Sequence, residues 1–198
     1  MAKRDQILTA ALGVFGRYGY RRTSMELLAQ SAGVSRPALY LHFSGKEDVF
    51  RAMGMRLLDD VIAATETAQK ADGSVGDRLY GVLAVKLKLL VGSVEAEFRS
   101  EMLAEAGVIA DDLMRSFKER HLAVIEALLE SAAGELELLG VALSARDAAL
   151  LLIDALTGIS QEAEAPETLR RRLRQMVDLT VRSLTDHRPP APDPSRPA

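Results

Sequence analysis

Six side chains within a dozen residues, Ser35, Arg36, Ala38, Tyr40, His42 and Lys46, make the chemistry of this chain legible. A guanidinium such as Arg36 suits a bidentate contact with a guanine edge, and a methyl such as Ala38 suits the methyl of thymine. The Ser35 hydroxyl, Tyr40, His42 and Lys46 suit phosphate oxygens, contacts that fix register without reading sequence. Thr23 and Ser24 lie just upstream, and Pro37 sits between the two base-type contacts. Helix N-termini expected at Ser24 and Lys46 add backbone N–H donors for phosphate. The set Thr23, Ser24, Ser35, Arg36, Pro37, Ala38, Tyr40, His42 and Lys46 is therefore the candidate surface for double-stranded DNA.

Such side chains are useful only if a rigid support aims them. The segment TSMELLAQSAGVSRPALYLHFSGK, residues 23–46, meets the demands of two helices crossing at a tight turn. Ala29 is small enough for the crossing, and Gly33, four positions later, tolerates positive φ in the turn. Leu28, Val34 and Leu39 are spaced to fill the wedge. Ser35 caps the second helix, and Pro37 occupies its first turn, where a missing N–H costs little. Thr23 with Glu26, and Ser44 with Glu47, have capping-box spacing. Upstream, Ile7, Ala10, Ala11, Val14, Phe15 and Tyr18 form one apolar stripe of a first helix, which Gly19 is expected to end.

Residues 3–55 resemble the N-terminal domain of the TetR/AcrR transcriptional regulators. The resemblance is carried by Phe15, Gly19–Tyr20, Thr23–Ser24, Leu28–Ala29, Ala32–Ser35, Leu39–Tyr40, His42–Phe43 and Lys46–Glu47. Leu28 stands where that family usually has Ile, and Arg36-Pro37-Ala38 fills the variable stretch where operator choice resides. The resemblance implies a homodimer through about residues 145–160 and 167–184, with small residues Ala148, Ala155 and Gly158 allowing close approach. It implies a palindromic operator, a C-terminal domain that binds a small-molecule effector, and release of DNA when the effector binds; repression is the expected sign.

The rest of the chain is consistent with that division. Helical periodicity continues almost to the end without a sustained period-two run, so the expected class is all-α, with about nine helices. The fourth is placed at about 46–70, and others at about 77–94, 95–106, 109–131, 144–160 and 166–186. Leu169, Leu173, Met176, Val177, Thr180, Val181 and Leu184 form a stripe on the last. The domains are read as 1–50 for DNA, 71–187 for effector and dimerisation, and 188–198 as a disordered Pro-rich tail. Residues 1–50 hold seven Lys/Arg against four Asp/Glu, while the remaining 148 hold 18 against 24, in a chain of net charge −3. A basic head on an acidic body fits this partition. There is no cysteine, which excludes disulfides and thiolate chemistry and suits a reducing cytoplasm. With no apolar run long enough to span a bilayer and no signal-peptide core, the expected location is the cytoplasm.

Leu83, Leu87, Phe98, Met102, Met114, Phe117, His121 and Asp154 are the candidate effector-pocket residues, though core packing explains the apolar ones equally. Asp154 lies among Leu150 and Gly158 on what reads as a buried face, where a carboxylate requires a partner. No residues are spaced for a metal or a cofactor, and no nucleophile–base pair argues for an enzyme. The glycines between Gly13 and Gly19 follow no strand and have the wrong spacing for a phosphate loop. Arg170, Arg171, Arg172 and Arg174 read as a solvated face. A helical adaptor that had lost DNA binding is the other alternative, disfavoured because Arg36, Tyr40, His42 and Lys46 all remain.

Overall fold

A computed structural model describes residues 3–185 apart from 138, 142 and 163. Among the described residues there are nine α-helices: α1 (Lys3–Arg22), α2 (Met25–Ser31), α3 (Arg36–Tyr40), α4 (Lys46–Gln69), α5 (Val75–Ser93), α6 (Arg99–Ile109), α7 (Asp111–Ser131), α8 (Ala145–Gln161) and α9 (Pro166–Thr185). A 3-10 turn over Ala96–Phe98 leads into α6. The all-α class is as the periodicity requires. The tail assigned to 188–198 lies outside the described residues.

Helices α1 to α3 and the first half of α4 close on one core of Ile7, Leu8, Val14, Phe15, Leu28, Leu39, Phe43 and Phe50. Tyr18, assigned to the stripe of α1, is instead 40% exposed, and Tyr20 takes the inner place, stacked 5.9 Å from Phe15 and edge-on to Phe50 at 5.0 Å. Gly19 has φ 73° and bends the chain, but helical geometry resumes as far as Arg22. That corrects the expected stop: the glycine makes a kink rather than an end.

Two caps also differ from the spacing argument. Thr23 is buried and donates its hydroxyl to the Gly19 carbonyl at 2.7 Å, so Ser24 caps α2, accepting from Leu27 N–H at 3.2 Å. The box Thr23–Glu26 does not form. Ser44 binds Asp48 rather than Glu47, through its N–H at 2.9 Å and its hydroxyl at 3.2 Å. Ser35 caps α3 as expected, and Ser144 caps α8.

The body is a second core, in which Leu79, Leu83 and Leu87 of α5 meet Ile125 and Leu129 of α7, Leu152 and Leu156 of α8, and Leu173 and Val177 of α9. At the start of α5, Asp77 bonds Ser74 at 2.6 Å and Arg174 of α9 at 2.7 Å, contacts that hold its carboxyl below the usual range. The stripe on α9 thus faces inward within one chain. Ala148 is likewise in the core, whereas Ala155 and Gly158 are exposed, with Leu151 of α8 at 60% and Leu179 of α9 at 66% exposure.

Head and body pack closely against each other. Val94, Phe98 and Met102 belong to the head's core, and the Glu95 N–H donates to the Gly16 carbonyl at 2.9 Å. Arg21 donates its backbone N–H to Glu101 and its guanidinium to Glu105. Arg51 of α4 also grips Asp112 of α7 with both terminal nitrogens. That grip holds the Asp112 carboxyl down at about 2.

Candidate nucleic-acid interface

A five-residue helix such as α3 has no independent stability; its position comes from its buried side. Leu39 and Phe43 are almost fully buried, Ala29 and Leu28 meet them from α2, and Val34 packs at the edge. Gly33 takes φ 62° in the turn, and the Val34 N–H returns to the Ala29 carbonyl at 3.0 Å. Gln6 of α1 donates to the Ala32 carbonyl at 2.9 Å, closing the end of α2. The turn chemistry and the apolar wedge together leave one side of α3 outward.

On that side Ser35, Arg36, Pro37, Tyr40 and His42 are all exposed, Ser24 stands exposed at the head of α2, and Ala38 is half-buried. Arg36 lies over the Tyr40 ring, 5.7 Å from its centroid, and 3.9 Å from a Glu26 carboxylate oxygen. Both contacts are solvent-exposed and weak, so the guanidinium is free to exchange them for a base edge. Leu41, absent from the sequence-based set, is 84% exposed beside Tyr40. An apolar side chain this open at the end of α3 was readable from its position outside the wedge.

Two members of the set are placed differently. The Thr23 hydroxyl is consumed inside the head, which makes it a scaffold residue and corrects its place among the DNA-facing groups. Lys46 is half-buried, its ammonium donating to the Tyr20 carbonyl at 3.0 Å. It fixes the start of α4 before it offers charge to anything else.

A cavity of about 110 Å³ lies where the head meets the body. It is far larger than the roughly 10–15 Å³ that one water needs. Its walls are almost wholly apolar, from Leu12 of α1 and Phe50 and Met53 of α4 to Met102 of α6 and Met114 and Phe117 of α7. Of the eight residues assigned to a pocket, Met102, Met114 and Phe117 line it. Leu83 and Leu87 are body core, and Phe98 packs beneath the Gly19 bend. His121 is buried behind Phe117, with ring centroids 5.5 Å apart. Asp154 corrects the expectation of a buried carboxylate: it is exposed and 3.8 Å from Lys118. Its neighbour Leu150 is only half-buried and Gly158 is open, so the face read as buried faces solvent.

Two cations on the cavity wall escaped the sequence reading, because periodicity places them on helices without saying what they face. Arg99 is 4% exposed and donates to the Val94 carbonyl at 3.4 Å and the Glu162 carbonyl at 3.1 Å. Lys86 is half-buried over Phe117, 5.9 Å from the ring centroid. Burial, then the charge of Lys118, pushes its ammonium below the ordinary lysine value. Among the described residues neither cation forms a salt bridge, and no group of three His, Cys, Asp or Glu comes together to hold a metal. No helix among them is long and apolar enough to cross a membrane.

Residues 7–53 match the family described as bacterial regulatory proteins, tetR family. The HTH-type transcriptional activator FasR of Mycolicibacterium smegmatis is 36% identical over 77 residues, 39% of this chain and 35% of that protein. The HTH-type transcriptional regulator RutR of Escherichia coli is 32% identical over 119 residues, 59% of this chain and 56% of that protein. The chain thus spans about half or less of the length of these curated relatives. In fold it is similar to the fatty acid degradation regulator FadR from Bacillus halodurans, with TM-score 0.71 at 19% identity over 89% of this chain and 95% of that one.

Proposed function

We infer, from a chain whose residues 7–53 belong to the tetR family of bacterial regulatory proteins, that it is a ligand-responsive, DNA-binding transcriptional regulator. One observation carries the reading: the outward side of α3 exposes Ser35, Arg36, Tyr40 and His42 while its other side is locked by Leu39 and Phe43. This is a rigid support for base and phosphate contacts, with Arg36 as base reader and the hydroxyl, phenol and imidazole groups on phosphates. The protein acts as a homodimer through α8 and α9, where Leu151, Ala155, Gly158 and Leu179 remain exposed, and two heads read a palindromic operator. It works in the cytoplasm, without catalysis.

The small-molecule effector binds in the cavity between head and body. Leu12, Phe50 and Met53 on its head side share helices with the DNA-facing unit, so a molecule wedged there repositions the heads and favours the state that releases DNA. We read the DNA-bound protein as a repressor, the sign that the family resemblance implies. The relative FasR is named an activator, and the sign of regulation is read from the same experiment. Purified full chain, mixed with sheared genomic DNA at low salt, should retain a small set of fragments sharing a palindrome, with affinity falling steeply as salt rises. Deleting the gene should raise transcription beside those fragments. Failure to retain any fragment at low salt overturns the DNA-binding reading, and reduced transcription after deletion overturns repression.

A further inference from the structure

We propose that the cavity between head and body takes an amphiphilic anion, an apolar body carrying one carboxylate or phosphate head, with Lys86 as the headgroup contact. The inference rests on the ligand-responsive reading above and names the chemistry of its ligand.

The walls settle the body of the ligand. Met53, Leu57, Leu58, Met102, Met114 and Phe117 offer flexible and flat apolar surfaces and no hydrogen-bonding group. Unbranched methionines adapt to a chain or ring of varied shape. A polar metabolite would leave its own groups unpaired here, at a cost that no wall residue offsets.

The cations settle the head. An apolar cavity does not gain by holding charge, yet two positive side chains line this one. Among the described residues Arg99 meets backbone carbonyls, those of Val94 and Glu162, and no carboxylate, so its charge is held in the interior without a salt bridge. Among the described residues half-buried Lys86 makes no hydrogen bond and no salt bridge; Lys118 adds a third positive charge, and the pull of exposed Asp154, 3.8 Å from Lys118, is outweighed at Lys86 by burial and by Lys118. Fixed cations in low-dielectric surroundings attract an anion far more strongly than exposed ones do. A carboxylate or phosphate beside Lys86 would supply the salt-bridge partner it lacks among the described residues and keep the tail along the methionines.

The test is calorimetric titration of the full chain with octanoate, octyl phosphate, 1-octanol and octyltrimethylammonium. At least one anion should bind about tenfold more tightly than octanol, the gain expected of one charge-assisted contact, and the cation should bind most weakly. Octanoate against octyl phosphate tells which head is preferred. Lys86→Met should abolish the preference for the anion while leaving octanol binding intact, and Lys86→Arg should retain it. Octanol or the cation binding as tightly as the anions, binding of none of the four, or an anion preference that survives in K86M would each overturn the proposal. A parallel measurement on a retained DNA fragment separates this from the regulatory reading: an anion that binds but leaves the DNA complex intact upholds the ligand class and removes the effector role.

Discussion

The Lys46 ammonium donates to the Tyr20 carbonyl at 3.0 Å and lies 4.2 Å from the centroid of the same tyrosine's ring. Tyr20 is in the last turn of α1 and Lys46 is the first residue of α4, so this single side chain ties together the two ends that bracket the helix-turn-helix. Tyr20 is itself fixed against Phe15 and Phe50. A lysine whose type and position suit a phosphate contact is thus already committed to holding the unit that presents the other contacts.

Lys46→Met should therefore lower stability as well as DNA affinity. A hydrogen bond to a charged donor contributes about 1.5–3 kcal/mol and a partly exposed cation–π contact about 0.5–1; half-burial places the expected loss near ~1–2 kcal/mol. Tyr40→Ala, at a side chain 45% exposed, should leave urea unfolding unchanged while weakening every DNA sequence alike. If K46M instead unfolds like the parent and lowers the salt slope of DNA binding by about one, Lys46 leaves Tyr20 for a phosphate and the tether is incidental.

The scaffold of the head was legible because turn chemistry and wedge spacing are local. Gly33, Ala29, Leu39 and the Ser35 cap each answer to neighbours within a few residues. The caps at Thr23 and Ser44 were misread for an equally local reason: adjacent hydroxyls or carboxylates compete for one free N–H, and only the bend at Gly19 decides that Thr23 turns inward. The cavity was largely illegible. Leu12, Phe50 and Lys86 come from three helices far apart in the chain, and no periodicity states which stripe meets which. Asp154 shows the same limit in reverse, a carboxylate on an apolar-looking helix that faces solvent.

Gly19 is the point where backbone and head–body packing meet. A Cβ there would lie 2.9 Å from a Glu101 carboxylate oxygen and 3.0 Å from the Phe98 ring, at a φ of +73° that costs an L residue about 1–2 kcal/mol by itself. Gly19→Ala should destabilise the chain by roughly 2–3 kcal/mol and loosen the hydrogen bond from Arg21 N–H to Glu101. Gly13→Ala, in the same helix with nothing within 4 Å of the added carbon, should be neutral or stabilising by up to about 1 kcal/mol. Equal melting temperatures for G19A and the parent would show that the bend relaxes without cost.

His121 should make stability fall in mild acid. Its Nε2 is buried without a hydrogen-bond partner, and burial, then the charge of Lys86, lowers its pKa to about 4, against a partial opposing pull from the Val82 backbone. An unfolded histidine titrates near ~6.5, so between that value and 4 the unfolded chain holds a proton that the folded one does not. Stability is complete above about 6.5 and is lost as pH falls, by at most ~1.4 kcal/mol per pH unit, levelling off below about 4. The Asp112 carboxyl, held at about 2, surrenders its contribution only in a lower window, as pH drops below the ordinary carboxylate value towards 2. The two are therefore separable. His121→Leu removes the titrating group and the orphaned nitrogen, so unfolding curves at pH 7, 6 and 5 should converge for this variant while the parent weakens at each step. Parallel losses in the two proteins over that range would assign the acid sensitivity elsewhere and leave His121 a neutral packing residue beside Phe117.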